Sequence, residues 1–247
     1  MAPSTGFEPI DAIAFALFAL AWIVHSLIVS RLPTRRATLS HAMLERRHLW
    51  MANAVRREGR IVDAALQNSL QQGVLFFAST SILVIGGLVA GLGAAGQAVA
   101  VLAELPFAST DTRPEWELKV LLVVAIVTYA FFKFAWSYRL FNYVIILMGA
   151  APDPRTTVPA PTEAELDAAA TRLGQLHAVA AYHFTAGVHA YFHALSAMVW
   201  LLSPWLFMAA TALVSGVLYR RTFGSRFLAI LEGRDDATDG PEPRTGA

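Results

Sequence analysis

The sequence predicts an all-α integral membrane protein: a bundle of about five transmembrane helices with a basic amphipathic helix on the cytoplasmic side. Three observations lead to this prediction. Hydrophobic residues make up 56% of the 247 residues and charged residues only 15%, whereas soluble domains carry about 25% charged residues. Long apolar zones recur along the chain, and eight arginines fall in the stretch from Arg31 to Arg60. We assign residues 1–232 to one helical membrane domain and the polar residues 233–247 to a disordered tail.

The composition also narrows the chemistry. The chain has no cysteine, which excludes disulfides, thiolate catalysis and cysteine-bound metals. The first apolar stretch has no basic segment before it and no small-residue cleavage site after it, so we interpret it as a retained helix. The sequence contains no phosphate-binding glycine loop and no nucleophile elbow. We therefore do not expect an enzyme, a cofactor or a nucleic-acid partner.

The apolar zones give the spans in order. Crossing about 30 Å of hydrocarbon takes roughly 20 apolar residues in a helix. Residues 10–30, 74–99 and 118–143 meet this length, and the zone after residue 176 is long enough for two spans. Pro204 interrupts that zone, and a proline can end one helix or begin the next. Two interpretations follow: one long kinked helix, or two helices at 178–202 and 204–220.

The arginine distribution favours two helices. Short loops rich in Lys and Arg stay in the cytoplasm, which places segment 31–63 inside and the N-terminus in the periplasm. A single last helix would put Arg220, Arg221 and Arg226 outside, against the rule, whereas two helices return them to the cytoplasm. We therefore predict five membrane crossings, with the C-terminus cytoplasmic.

A proline-rich linker at 150–161 precedes the fourth span. It leads into Thr162, which can cap a helix, and Glu165, which can close a capping box with it. We expect a cytoplasmic helix to begin there and to run into the fourth span.

Segment 35–66 is the predicted cytoplasmic basic helix. Leu44, His48, Met51, Val55 and Val62 recur at three- and four-residue steps and form one mostly apolar stripe. A basic amphipathic helix suits anionic headgroups. The alternative is that the arginines only fix the topology and solvate a helical hairpin. The candidate binding residues are Arg46, Arg47, Arg56, Arg57 and Arg60.

A cation at membrane depth indicates a functional site. Lys133 lies about 25 Å from the outer interface and about 15 Å from the inner one, at 1.5 Å per helical residue. The acids nearest to the predicted spans, Asp11, Asp63 and Glu117, all lie at their ends. The absence of an acid at membrane depth argues against coupling to a cation. We predict a pocket for a small anionic solute or a lipid headgroup, including a cation–π contact between Lys133 and Trp136. Its candidate residues are Lys133, Trp136, Ser137, Arg139, Asn142, Ser79 and Thr80.

A structural role for Lys133 is the alternative, in which the side chain snorkels or is satisfied by hydroxyl groups of the second span. A second class of function is a membrane-anchored adaptor that uses the arginine-rich segment to bind lipid or a protein partner. The expected partners are membrane lipids and a small anionic solute, and a homo-oligomer is compatible with the pattern.

The histidines of the fourth span form a further candidate site. His189 and His193 are four residues apart on one helix face, a spacing that can hold two metal ligands. His183 or His25 would have to supply a third. The alternative is that these histidines pack against a neighbouring helix, beside a row of small alanines.

Four stretches together resemble the bacterial inner-membrane family catalogued as domain of unknown function 599. They are "RREGRIVDAAL" (56–66), "FFASTSILVIGGL" (76–88), "FFKFAWSYRLFNY" (131–143) and "SPWLFMAATALVSGVLYRRTFGSR" (203–226), in the same order and spacing over roughly residues 20–230. The resemblance implies a multi-helix inner-membrane protein and supplies no activity. In "FTAGVHAYFHAL", His189 stands where the family pattern has an arginine.

Overall fold

The computed structural model describes residues 8–31, 39–106 and 111–223, and within these ranges the chain is helical with no β-strand. Its helices are α1 (Pro9–Arg31), α2 (Leu39–Arg56), α3 (Ile61–Gly93), α4 (Ala95–Ala103), α5 (Arg113–Ala150), α6 (Glu163–Val199) and α7 (Pro204–Phe223). The prediction of an all-α fold is therefore confirmed. The predicted tail at 233–247 lies outside the described residues.

Within the described part of the chain, three helices are long and apolar enough to cross a membrane: α1 over Pro9–Leu27, α3, and α5. The other two long helices are more polar. Helix α6 carries four histidines along its length, and α7 has only 20 residues, with Arg220 and Arg221 in its last turn. The structure thus supports a membrane protein with three candidate spans, and the count of about five stays a prediction.

Two helix boundaries confirm the local sequence signals. Helix α6 begins at Glu163 and is preceded by a capping box. The Thr162 hydroxyl accepts a hydrogen bond from the Glu165 backbone N–H, and the Glu165 carboxylate accepts one from the Thr162 backbone N–H. The hydrogen bond from Thr162 holds the pKa of Glu165 below its usual value. Helix α6 ends at Val199 and α7 begins at Pro204, which excludes one long kinked helix.

The expectation of one helix through segment 35–66 is wrong. Helix α2 ends at Arg56, residues 57–60 are not helical, and α3 begins at Ile61. Gly59 lies in this break and has a low helix propensity. The Arg60 guanidinium also accounts for the turn, because it bonds the Val55 carbonyl of α2 and the Met148 carbonyl at the end of α5. Val62 therefore does not belong to the same helical stripe as Met51 and Val55.

The second predicted span, 74–99, also differs from the structure. Helix α3 is 33 residues long and begins well before residue 74, and Ala94 separates it from the short helix α4. The sequence masks this early start because the first turns of α3 are polar, with Asp63, Gln67 and Gln71 on their buried side. The helix is therefore longer than its apolar stretch, because its first turns bury polar side chains.

Helices α5 and α6 form the centre of the bundle. Phe134 of α5 is fully buried and its ring centroid lies 5.3 Å from that of Phe77, 5.8 Å from that of Phe184 and 5.7 Å from that of Tyr191. Gly187 allows this approach, since a Cβ there would lie 2.6 Å from the Phe134 ring. Helix α1 joins the core through Phe18, which packs on Phe207 of α7 and on His193.

The outward faces of the long helices are apolar. Leu83 and Phe76 of α3 are 76% and 66% exposed, and Leu213 of α7 is 70% exposed. Large apolar side chains in this number and exposure are unusual on a water-facing surface. They are the expected boundary with hydrocarbon.

Candidate functional site

Lys133 lies half-buried on α5, and its ammonium faces an aromatic ring. Its Nζ atom is 5.2 Å from the centroid of the Tyr129 ring, one turn earlier on the same helix. The Lys133 charge also interacts with His183 of α6. Among the salt bridges of the described residues, none involves Lys133.

The predicted cation–π pair of Lys133 with Trp136 is replaced by two other pairs. Lys133 lies over Tyr129, and the Trp136 ring instead carries the Arg139 guanidinium at 5.9 Å. Arg139 also donates from Nε to the Tyr143 hydroxyl at 2.7 Å. Lys133, Trp136 and Arg139 therefore follow one another along an aromatic edge of α5 without forming one site.

The other predicted pocket residues have partners elsewhere. Asn142 accepts from Gln71 Nε2 at 2.9 Å, and nine residues at 3.6 per turn put it half a turn away from Lys133. Ser137 is buried and donates to the Ala180 carbonyl at 2.7 Å. Thr80 bonds the carbonyl of Phe76 within its own helix, and Ser79 is exposed. The predicted pocket thus does not assemble as one set around Lys133.

A cleft of about 90 Å³ lies between α1, α5 and α6. We call it the histidine cleft. Its lining contains imidazole, phenol and hydroxyl groups and, among the described residues, no carboxylate. Tyr129, under Lys133, is one of its walls. The residues that line it are Trp22, His25, Ser26, Tyr129, Tyr182, Ala186, His189, Ala190 and His193.

The three histidines of this cleft are in contact with one another. His25 Nε2 and His189 Nδ1 are 3.1 Å apart and share a hydrogen bond, and the ring centroids of His25 and His193 are 5.9 Å apart. The His193 ring stacks on Trp22 at 5.0 Å. Neither ring nitrogen of His193 has a hydrogen-bond partner in the described part of the chain.

The predicted metal site at His189 and His193 is not supported by this geometry. His25 does approach from α1, as one of the two possible third ligands. Over the described residues, however, no group of three or more His, Asp or Glu side chains is arranged to hold a metal ion. A protein zinc site needs at least three such ligands, so metal binding at His189 and His193 stays a prediction.

A buried ion cluster at the other end of α1 was missed by the sequence analysis. We call it the Lys119 cluster. The Lys119 ammonium is fully buried and lies 2.7 Å from Asp111 Oδ2 and 3.2 Å from Asp11 Oδ1. Trp200 donates from Nε1 to Asp11 Oδ1 at 2.6 Å, and Lys119 Nζ is 5.3 Å from the Trp200 ring centroid. The cluster joins the starts of α1 and α5 to the end of α6.

The predicted basic residues Arg56, Arg57 and Arg60 lie where α2 turns into α3, and all three are engaged within the chain. Arg60 donates to the carbonyls of Val55, Met148, Ala151 and Pro152. Arg57 pairs with Asp63 at 2.7 Å, an acid that Trp50 also bonds at 2.7 Å. The turn is thereby fixed to the end of α5.

The remaining contacts of the predicted basic set are those of Arg56, Arg46 and Arg47. Arg56 pairs with Glu163 at 2.9 Å and Asp167 at 2.5 Å on α6. The hydrogen bonds with Asp167 and Glu163 raise the pKa of Arg56. Arg46 is exposed, and Arg47 is half-buried, with a pKa lowered by that burial.

Comparison with known proteins gives a family and no function. The family described as "Protein of unknown function, DUF599" matches residues 13–227, which is most of the chain. No curated protein and no solved structure matches the chain. The match agrees with the resemblance carried by the four sequence stretches. The chain belongs to the DUF599 family of proteins of unknown function.

Proposed function

We propose that the chain is a multi-pass protein of the bacterial inner membrane that binds or passes a small anionic solute or a lipid headgroup. The binding place is the histidine cleft, with Lys133 at its edge. One observation carries the proposal: Lys133 lies over a wall of the cleft and has no ion-pair partner in the described ranges.

The two lysines of the chain differ in how their charge is met. Lys119 is paired with two carboxylates, whereas in the described part of the chain the neighbours of Lys133 are an aromatic ring and a histidine. A cation at membrane depth is costly unless a group of opposite charge or strong polarity compensates it. An anion bound at the cleft would supply Lys133 with a compensating negative charge, as Asp11 and Asp111 do for Lys119.

The lining of the cleft suits an anionic group. The hydroxyl groups of Ser26, Tyr129 and Tyr182 and the imidazole N–H groups can all donate hydrogen bonds, and charge-assisted bonds of this kind are the strong ones. A water needs about 10–15 Å³ of such space, so 90 Å³ holds several water-sized groups. A carboxylate or phosphate group is of that size.

Five crossings are part of the proposal. Helix α7 has 20 residues, which at 1.5 Å per residue is about 30 Å, the thickness of the hydrocarbon. Residues 178–199 of α6 are of similar length. With both as spans, Arg220 and Arg221 return to the side of Arg56, Arg57 and Arg60, as the positive-inside rule requires.

The adaptor alternative has less support. Arg56, Arg57 and Arg60 are held by carboxylates and carbonyls of the chain itself. Side chains engaged in this way are not free to bind lipid or a protein partner. Their contacts favour a structural role at the α2–α3 turn.

Replacing Lys133 tests the proposal. The chain is placed in nanodiscs of phosphatidylcholine with and without phosphatidylglycerol, and inorganic phosphate is titrated in a separate arm. We expect Lys133→Met to lose at least tenfold in binding of phosphatidylglycerol or of phosphate, and Lys133→Arg to keep most of it. Loss of phosphatidylglycerol binding would identify a lipid headgroup as the ligand, and loss of phosphate binding would identify a free solute.

Arg113→Gln is the matched control, because Arg113 is exposed and paired with Glu117 on the same helix. It removes one positive charge far from the cleft and should leave binding unchanged. Equal binding by wild type and Lys133→Met, with both folded, would remove the proposal.

A further inference from the structure

Helix α3 buries a polar stripe where most membrane helices bury apolar residues. Its buried residues include Asp63, Gln67 and Gln71 at four-residue steps, followed by Val74 and Ala78. At 1.5 Å per residue, the polar part extends about 12 Å along the helix from its first turn. It begins beside the α2–α3 turn and shares no residue with the histidine cleft.

Two residues of this stripe have unsatisfied polar atoms. Gln67 is fully buried, and neither its amide nitrogen nor its amide oxygen has a hydrogen-bond partner within the described residues. The Oδ2 atom of fully buried Asp63 has none either, although Oδ1 bonds Trp50 and Arg57. Gln71, one turn further, is satisfied by Asn142.

His177 of α6 is the unsatisfied group on the facing helix. It is 2% exposed, and over the described ranges both of its ring nitrogens are without a partner. Its ring centroid lies 5.3 Å from that of Trp50 and 5.2 Å from that of Phe141.

The same contacts bracket Gln67 and His177. On one side, Trp50 touches His177 and donates to Asp63, one turn before Gln67. On the other side, Phe141 touches His177 and is next in sequence to Asn142, which bonds Gln71, one turn after Gln67. Asp63 and His177 therefore share Trp50 as a neighbour, and Gln67 lies one turn from Asp63 on the same buried side of α3.

The chemistry of this region selects a neutral occupant with both donors and acceptors. Asp63 Oδ2 and Gln67 Oε1 need a donor, and Gln67 Nε2 needs an acceptor. Arg57 already neutralises Asp63, and Arg47 acts electrostatically on His177, so a further cation is disfavoured. The acceptor lone pairs of Asp63 Oδ2 and Gln67 Oε1 disfavour an anion. Leaving five buried polar atoms dry would cost as much as the net stability of a typical domain.

We propose that ordered water molecules occupy this region and bridge Asp63 Oδ2 and Gln67 to His177. They form a hydrated polar site that enters the bundle from the α2–α3 turn and ends at the Gln71–Asn142 pair. Buried waters typically make two to four hydrogen bonds to such groups. The site is independent of the proposed anion binding.

Radiolytic hydroxyl-radical labelling tests this proposal, since bound water converts to radicals next to the side chains it touches. The full chain in nanodiscs is exposed for milliseconds in H₂¹⁸O. We expect Phe141 to be labelled at least tenfold faster than Phe134, although both rings are nearly inaccessible, at 3% and 0% exposed. His177 should be labelled as well. Equal, slow labelling of Phe141 and Phe134 would overturn the proposal.

A variant pair gives a second test. Gln67→Leu should reduce Phe141 labelling at least threefold, because it removes two groups that hold the water. Gln71→Leu, which breaks a satisfied hydrogen bond further along, should leave the labelling nearly unchanged. A rise in the unfolding midpoint of Gln67→Leu with labelling unchanged would show a dry site and contradict the proposal.

Discussion

The ammonium of Lys119 lies 3.2 Å from the Asp11 carboxylate, and this buried contact joins the start of α5 to the start of α1. Asp111 is a second carboxylate on the same ammonium. A buried charge is tolerated when it is paired in this way. The chain therefore fixes the relative position of two candidate spans by an ion cluster at one end.

Lys119→Met should destabilise the protein strongly. It leaves buried Asp11 and partly buried Asp111 without their counter-charge, and breaking a buried pair from one side costs about 3–5 kcal/mol. The free energy of unfolding in mixed micelles measures the effect. Exposed Arg113→Gln is the control, expected within about 0.5 kcal/mol. A loss below 1 kcal/mol for Lys119→Met would show that the cluster is not a structural element.

Arg60→Ala should weaken the attachment of the α2–α3 turn to the end of α5. Its guanidinium donates to four backbone carbonyls, and a hydrogen bond to a charged group contributes about 1.5–3 kcal/mol. We expect a loss of at least 2 kcal/mol, read from the free energy of unfolding. Arg60→Lys should retain little of the lost stability, because a single ammonium cannot reproduce the planar array of donors on the guanidinium.

Arg155→Ala is the control for Arg60. Arg155 pairs with Glu58 on the surface, where both side chains are about two-thirds exposed, and such pairs contribute at most about 1 kcal/mol. Equal losses for the two variants would contradict a special role of Arg60.

Gly187→Ala should be destabilising and Gly86→Ala should not. A Cβ at residue 187 would lie 2.6 Å from the Phe134 ring, whereas a Cβ at residue 86 meets nothing within 4 Å. Overpacking typically costs about 1–3 kcal/mol, and alanine in an open helical position gains about 0.5–1 kcal/mol over glycine. Thermal unfolding of the two variants checks the difference. Equal midpoints would mean that α5 and α6 pack less closely than described.

The five-crossing topology predicts the location of fused reporters. A fluorescent protein that matures only in the cytoplasm should be bright when fused after Glu232, and an alkaline phosphatase that needs the periplasm should be inactive there. Fused between α4 and α5, after residue 106, the two reporters should behave in the opposite way. A periplasmic signal after Glu232 would remove α6 or α7 from the set of spans.

Local signals predicted two helix boundaries correctly. The capping residues Thr162 and Glu165 give the start of α6, and Pro204 gives the start of α7. Such signals act over one helical turn, so the sequence carries them whole. The 35–66 prediction failed because a three- and four-residue period continues across Gly59, while the break depends on Arg60 contacts with the distant end of α5.

The contacts of the site were harder to predict. Lys133 pairs with Tyr129 rather than Trp136, which follows from the tilt of every Cα–Cβ bond toward the helix N-terminus. The Lys119 cluster depends on acids before α5 and in α1 that come together only in the folded bundle. The sequence showed acids at the helix ends, but it did not show that Lys119 is their shared partner. The Gln71–Asn142 pair was missed for the same reason.

The chain's two lysines allow the central claim to be tested directly. With ¹⁵N in the lysine Nζ atoms, solid-state NMR measures ¹⁵N–³¹P dipolar dephasing in phosphatidylglycerol membranes and, separately, with added inorganic phosphate. The account predicts dephasing of the Lys133 ammonium by a phosphorus atom in at least one sample, and none for Lys119, which its two carboxylates enclose. Absence of dephasing at Lys133 in both samples would contradict anion binding at the histidine cleft.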